Sequence, residues 1–114
     1  MIFFVVVLHR RADFSPEQFV DYLQRVHAPL AEAIPDLAGY VHFLPAPDPT
    51  RERPLWDAII ELRWESVERM EEAWRSPEGR AATDDLVHFT DPERTSWSLV
   101  DRKVRRGAGA PARR

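Results

Sequence analysis

Trp56-Asp57-Ala58-Ile59-Ile60-Glu61-Leu62-Arg63-Trp64 is the stretch that decides the fold. Side chains alternate across a strand, so Trp56, Ala58, Ile60, Leu62 and Trp64 share one wholly apolar face. Asp57, Ile59, Glu61 and Arg63 share the other, which is mostly charged. This is the clearest strand in the chain.

Upstream, Gly39-Tyr40-Val41-His42-Phe43-Leu44 alternates too and runs into residues 45–54, where four prolines in ten residues rule out regular structure. That predicts a strand followed by a loop. Ile2-Phe3-Phe4-Val5-Val6-Val7-Leu8 is short, continuous and rich in β-branched and aromatic residues, as a central strand is. Ser15-Pro16-Glu17-Gln18 supplies a capping serine, a proline in the first turn and a glutamine three residues after the cap, so a helix begins there. Phe19, Leu23, Val26 and Leu30 form its apolar stripe, Pro29 predicts a break or kink near His27, and Pro35 ends it.

Downstream, Ser66 caps a second helix with Val67, Met70, Ala73 and Trp74 on one side, and Ser76-Pro77-Glu78-Gly79 restarts a shorter helix toward Leu86. Thr95 to Val104 reads as a fourth strand. The order strand, helix, strand, strand, helix, strand is the α+β, ferredoxin-like βαββαβ arrangement, a four-stranded antiparallel sheet with its helices on one face. The uncovered face exposes apolar surface unless a second subunit covers it, so a homodimer is expected. The reading assigns residues 1–104 to one domain and 105–114 to a flexible basic tail.

At 114 residues, 44% hydrophobic and 31% charged, the chain has the composition of a folded domain rather than a disordered one. Net charge is -3, but Arg102 to Arg114 holds six of the 16 basic residues and no acid. The body before it therefore carries ten basic against 19 acidic residues, about -9, and repels a phosphate backbone. The tail has no aromatics to stack bases, so no nucleic-acid partner is expected. The absence of cysteine excludes disulfides, thiolate nucleophiles and sulfur-held metals. Residues 2–8 are too few to span a bilayer, for which about 20 are needed, and lack the charged start of a signal peptide, so no membrane partner and a cytoplasmic location are expected.

His27-Ala28-Pro29-Leu30, Pro35-Asp36-Leu37 with Tyr40, Trp56-Asp57 and Ser76-Pro77-Glu78-Gly79, taken in order, resemble the EthD family over about residues 2–104. The resemblance implies a dimeric α+β barrel, in which two sheets pack face to face and each subunit keeps a cavity between sheet and helices. It also implies a role in the catabolism of small organic molecules, in some members beside an oxidative system. A related branch resembles the methylmuconolactone methylisomerases, whose pocket His and Tyr match His27 and Tyr40. That branch also relies on a cysteine, which this chain lacks.

His27 stands beside the apolar stripe, where its ring can reach a cavity, and an imidazole with a pKa near 6.5 suits acid–base work on an enolisable carbonyl or lactone. The bland alternative is a helix-breaking His-Pro corner with its ring bonded to backbone. Tyr40 and His42 share a strand face and fit one cavity wall, with Tyr40 assisting catalysis and His42 binding substrate. A Tyr packed in the core and a solvent-facing His are the alternatives. Asp57 and Glu61 are about 13 Å apart on one strand face, too far to act as a dyad. Asp57, beside Trp56, is a candidate to orient an imidazole, and both are carried as substrate-binding candidates. Trp64, Trp74 and Trp97 read as core and interface.

His9, His27, His42 and His88 have no metal-ligand spacing, and the four glycines form no phosphate or nucleotide loop, so neither metal nor cofactor is expected. The leading expectation is a small homodimeric enzyme acting on a lactone, phenol or carbonyl by cofactor-independent acid–base chemistry or within an oxidoreductase system. Isomerase, lyase and oxidoreductase steps all fit, as does cofactor-free oxygenation. The alternative is a non-catalytic ligand-binding or accessory protein.

Overall fold

The computed structural model describes residues 1–108. Its sheet consists of β1 (Ile2–Leu8), β2 (Gly39–Phe43), β3 (Ala58–Trp64) and β4 (Ser96–Val100), in the order β2-β3-β1-β4 with every pairing antiparallel. The two central strands are the most apolar ones, and β3 alternates strictly between buried and half-buried residues. Ala58, Ile60, Leu62 and Trp64 face the helices and are at most 5% exposed. This is the predicted ferredoxin-like arrangement. Trp56 and Asp57 precede β3, and β4 stops at Val100, short of the expected Val104.

The first helical segment starts as expected. Ser15 accepts from the Gln18 backbone while the Gln18 side chain accepts from the Ser15 backbone, a complete capping box ahead of α1 (Pro16–Tyr22). The irregularity expected near His27 is present, as a widened turn rather than as a break. A π-helical turn, Leu23–His27, joins α1 directly to α2 (Ala28–Glu32), and the Ala28 N–H donates to the Leu23 carbonyl five residues back. Proline lacks an N–H and its ring collides with the carbonyl four residues earlier in a regular helix; widening the preceding turn relieves both problems without stopping the helix.

The wide turn also rephases the helix. Val26, expected on the inner stripe, is 45% exposed, and His27 takes its place at 7%. The buried line runs Phe19, Leu23, His27, Ala31, a strict repeat of four that an underwound helix keeps on one side.

Helices α3 (Val67–Arg75) and α4 (Pro77–Asp85) meet at Ser76, whose Oγ donates to the Ala73 carbonyl and accepts from the Gly79 N–H. One hydroxyl thus ends one helix and starts the next. Gly79 sits so close to α3 that a Cβ would run into the Ala73 carbonyl and the Trp74 backbone. Beyond α4, residues 89–91 bond back to residues 9–11 through Arg11 N to Phe89 O and Asp91 N to His9 O, both 2.9 Å. This clasp fixes Phe89, fully buried, beneath the first helix. Residues 101–108 form no helix or strand, and the remainder of the expected tail, 109–114, lies outside the described residues. No helix among the described residues is long and apolar enough to cross a membrane.

Candidate active site

Helices on one side and the apolar sheet face on the other enclose a cavity of about 1000 Å³, at the upper end of ligand-pocket sizes. Its lining is mostly apolar: Phe4, Ile60 and Leu62 from the sheet, Ala31, Met70 and Trp74 from the helices. Trp97 of β4, 66% exposed, stacks on Phe4 at 5.3 Å and lines the cavity as well. Into this apolar setting the π turn brings the imidazole of His27.

The ring of His27 is held on two sides. Its Nδ1 lies 2.9 Å from Asp85 Oδ2, and the other carboxylate oxygen of Asp85 accepts from the Tyr22 hydroxyl at 2.7 Å. Phe89 packs against the imidazole at 5.0 Å and stacks on Tyr22 at 4.7 Å. A carboxylate facing Nδ1 fixes the tautomer with the proton on Nδ1, which leaves Nε2 as an acceptor. Burial lowers the His27 pKa, and the hydrogen bond and charge of Asp85 only partly oppose this. The ring is therefore neutral near pH 7, in the form that takes up a proton. Burial, then Asp85, pushes the Tyr22 hydroxyl up to about 12, so it stays protonated and remains a donor to Asp85.

Tyr40 and His42 are brought together as the strand pattern requires, with the Tyr40 hydroxyl 2.7 Å from His42 Nε2 and the rings edge to face. They stand on the helix side of β2, beside Leu62 and Ile60 of β3, but they do not line the cavity itself. Burial raises the Tyr40 pKa, with the Glu32 charge adding to it, and burial lowers that of His42, helped by nearby His27. Both are neutral, and together they form a second polar pair next to the first.

Trp56 and Asp57 are placed elsewhere. The Asp57 carboxylate accepts from the Arg10 backbone N–H at 2.8 Å and lies 3.6 Å from its Nε, tying the end of β1 to the start of β3. It orients no imidazole, since its oxygens are already committed to Arg10, and neither residue lines the cavity. The carboxylate that does orient an imidazole is Asp85, which the sequence reading passed over. The available signal was an acid on the inner stripe of α4, three residues after buried Ala82. Among the described residues no three His, Asp or Glu side chains converge as metal ligands would.

The EthD domain model matches residues 11–93, most of the chain, including Tyr22, His27 and Asp85. The chain belongs to the EthD family. Similar solved structures include an EthD family protein from Bacillus halodurans C-125, at 20% identity and a TM-score of 0.75, over 90% of this chain and 99% of that one. A dimeric ferredoxin-like protein of unknown function from Thermobifida fusca is similar at 17% identity and a TM-score of 0.61, covering 87% and 88%. SnoaB, a cofactor-independent oxygenase from Streptomyces nogalater, is similar at 14% identity and a TM-score of 0.59, covering 90% and 93%. At these identities the likeness establishes the shared fold. No curated protein matches the chain.

Proposed function

We propose that this EthD-family chain is a homodimeric enzyme that deprotonates a small oxygenated organic molecule, a phenol, lactone or other enolisable carbonyl compound, with His27 as the general base. The observation that carries the reading is the buried His27–Asp85–Tyr22 relay opening on an apolar cavity. Tyr22 holds Asp85, Asp85 holds Nδ1–H, and Nε2 takes the proton from a substrate O–H or C–H. The electron pair of the broken bond stays on the substrate as a phenolate or enolate. A neutral, desolvated imidazole does this without first losing a proton to water. Tyr40, whose hydroxyl is engaged with His42 beside the cavity rather than in its lining, is left out of the proton transfer.

The reaction needs no resident cofactor up to that point, and the similarity to SnoaB supports the same economy here. The anion then isomerises, eliminates or meets dioxygen according to the substrate. The test is a panel of small lactones, phenols and β-dicarbonyl compounds, screened for thermal stabilisation and for turnover. Wild type is expected to turn over at least one compound that stabilises it, and His27→Ala to lose that turnover by about 10²-fold or more. Full turnover by the variant overturns the assignment; stabilisation of wild type without any turnover assigns the cavity to ligand binding instead.

A further inference from the structure

Charge is unevenly placed round the cavity. Among the described residues His27 and Asp84 are the only ionisable side chains that line it, with no lysine or arginine beside them. His27 is neutral, and the carboxylate of Asp85 stands directly behind it. Asp84 lies on the exposed rim with Thr83, Val87, Pro92 and Trp97, while Arg80, one turn earlier on α4, is not part of the lining. The Thr83 and Thr95 hydroxyls already donate to the Gly79 and Asp91 carbonyls, at 2.9 and 3.0 Å. An anion drawn inside would lose its water and gain neither a cation nor a free hydroxyl, an exchange that strongly disfavours entry. The walls, by contrast, are aromatic: Phe4 contacts both Trp97, stacked at 5.3 Å, and Trp74, tilted at 5.2 Å.

We infer that the cavity selects uncharged, flat aromatic ligands, and that Asp84 on its rim is the residue that turns carboxylates away. A cavity of about 1000 Å³ has room for more than a single ring, and the Trp97 face not stacked on Phe4 offers such a ring a platform at the rim. The inference rests on the proposed deprotonation and adds the charge and shape of what enters. Within that reaction the neutral acid binds, and its proton passes to Nε2 of His27. The substrate anion and the imidazolium therefore appear together, as a matched pair in a site that held no cation before. A molecule that is already a carboxylate meets the rim charge of Asp84 first and the carboxylate of Asp85 behind the ring next, with nothing of opposite sign to receive it.

Titration calorimetry at pH 7 with naphthol, naphthamide and naphthoate, substituted at the same ring position, tests this. The amide and the carboxylate share a shape and differ in charge. Wild type is expected to bind naphthol and naphthamide and to bind naphthoate about 10²-fold or more weakly. Asp84→Lys is expected to strengthen naphthoate binding by about 10-fold or more while naphthamide changes little, which also shows the variant to be folded; Asp84→Asn is expected to fall between. Naphthoate binding to wild type as tightly as naphthamide overturns the selectivity. Discrimination that persists unchanged in Asp84→Lys overturns the role of Asp84, and failure of both neutral probes to bind overturns the aromatic class. None of these readouts needs turnover, so a His27→Ala variant that keeps full activity would overturn the proposed base while leaving the binding ratios to decide this inference on their own.

Discussion

Replacing Asp85 by Asn tests the relay at its centre. Asp85 is 8% exposed and accepts two hydrogen bonds, from His27 Nδ1 at 2.9 Å and Tyr22 Oη at 2.7 Å. An amide of the same shape accepts through one atom only and must donate through the other. If its NH2 group faces His27, Nδ1 has to become the acceptor and the proton moves to Nε2; if it faces Tyr22, that hydroxyl turns to accept. The stability cost is modest, since both partners can adapt and burying an amide is easier than burying a carboxylate. Exchanging two charge-assisted bonds for neutral ones costs roughly 1–2 kcal/mol, or about 5–10 °C in melting temperature for a chain of this size. The catalytic cost is larger, about 10²–10⁴-fold, because an Nε2–H tautomer cannot accept the substrate proton. Nitrogen-15 NMR of histidine-labelled protein reads the tautomer without a substrate, the signal being assigned by its loss in His27→Gln. Wild type is expected to show Nε2 unprotonated and Asp85→Asn to show it protonated. A wild-type spectrum with the proton already on Nε2, or unchanged turnover in the variant, refutes the reasoning.

Acid should weaken the fold through the same ring. The His27 pKa is lowered in the native state, so between its folded value and about 6.5 the unfolded chain binds more protons and stability rises with pH. Melting temperature is therefore expected to fall as pH drops from 7 toward 5, with a shallower fall in His27→Gln; parallel slopes would show that His27 is not the group involved, leaving His42, whose pKa is lowered too. Gly79→Ala, despite improving helix propensity, is expected to cost about 1–3 kcal/mol in chemical denaturation, because the added methyl meets the backbone of Ala73 and Trp74 rather than a movable side chain. A neutral or stabilising effect would mean that α3 and α4 separate easily.

The strands and helix starts were legible because each rests on local chemistry: alternation in β3, the capping box at Ser15, the shared cap at Ser76. The candidate site was legible in part. His27 and the pairing of Tyr40 with His42 followed from position along an element, whereas Asp85 is 58 residues from His27 and only the tertiary fold brings them together. Asp57 misled because nothing local says that Arg10 will claim its carboxylate. The irregularity that Pro29 predicts near His27 is there, but as one widened turn that absorbs the proline's clash, and a stripe counted at the usual helical period then picks Val26 over His27.

That widened turn makes the protein's chemistry depend on arithmetic. A helix advances by about 100° per residue, so deleting one residue between Tyr22 and His27 would swing everything before the deletion round the axis relative to everything after it. No side chain of the relay would have been altered, and each would be presented at the wrong bearing. Scans that exchange one residue for another never sample this fault, and a lineage that lost the extra residue would keep every recognisable letter of its motif while losing the geometry that gives the letters meaning.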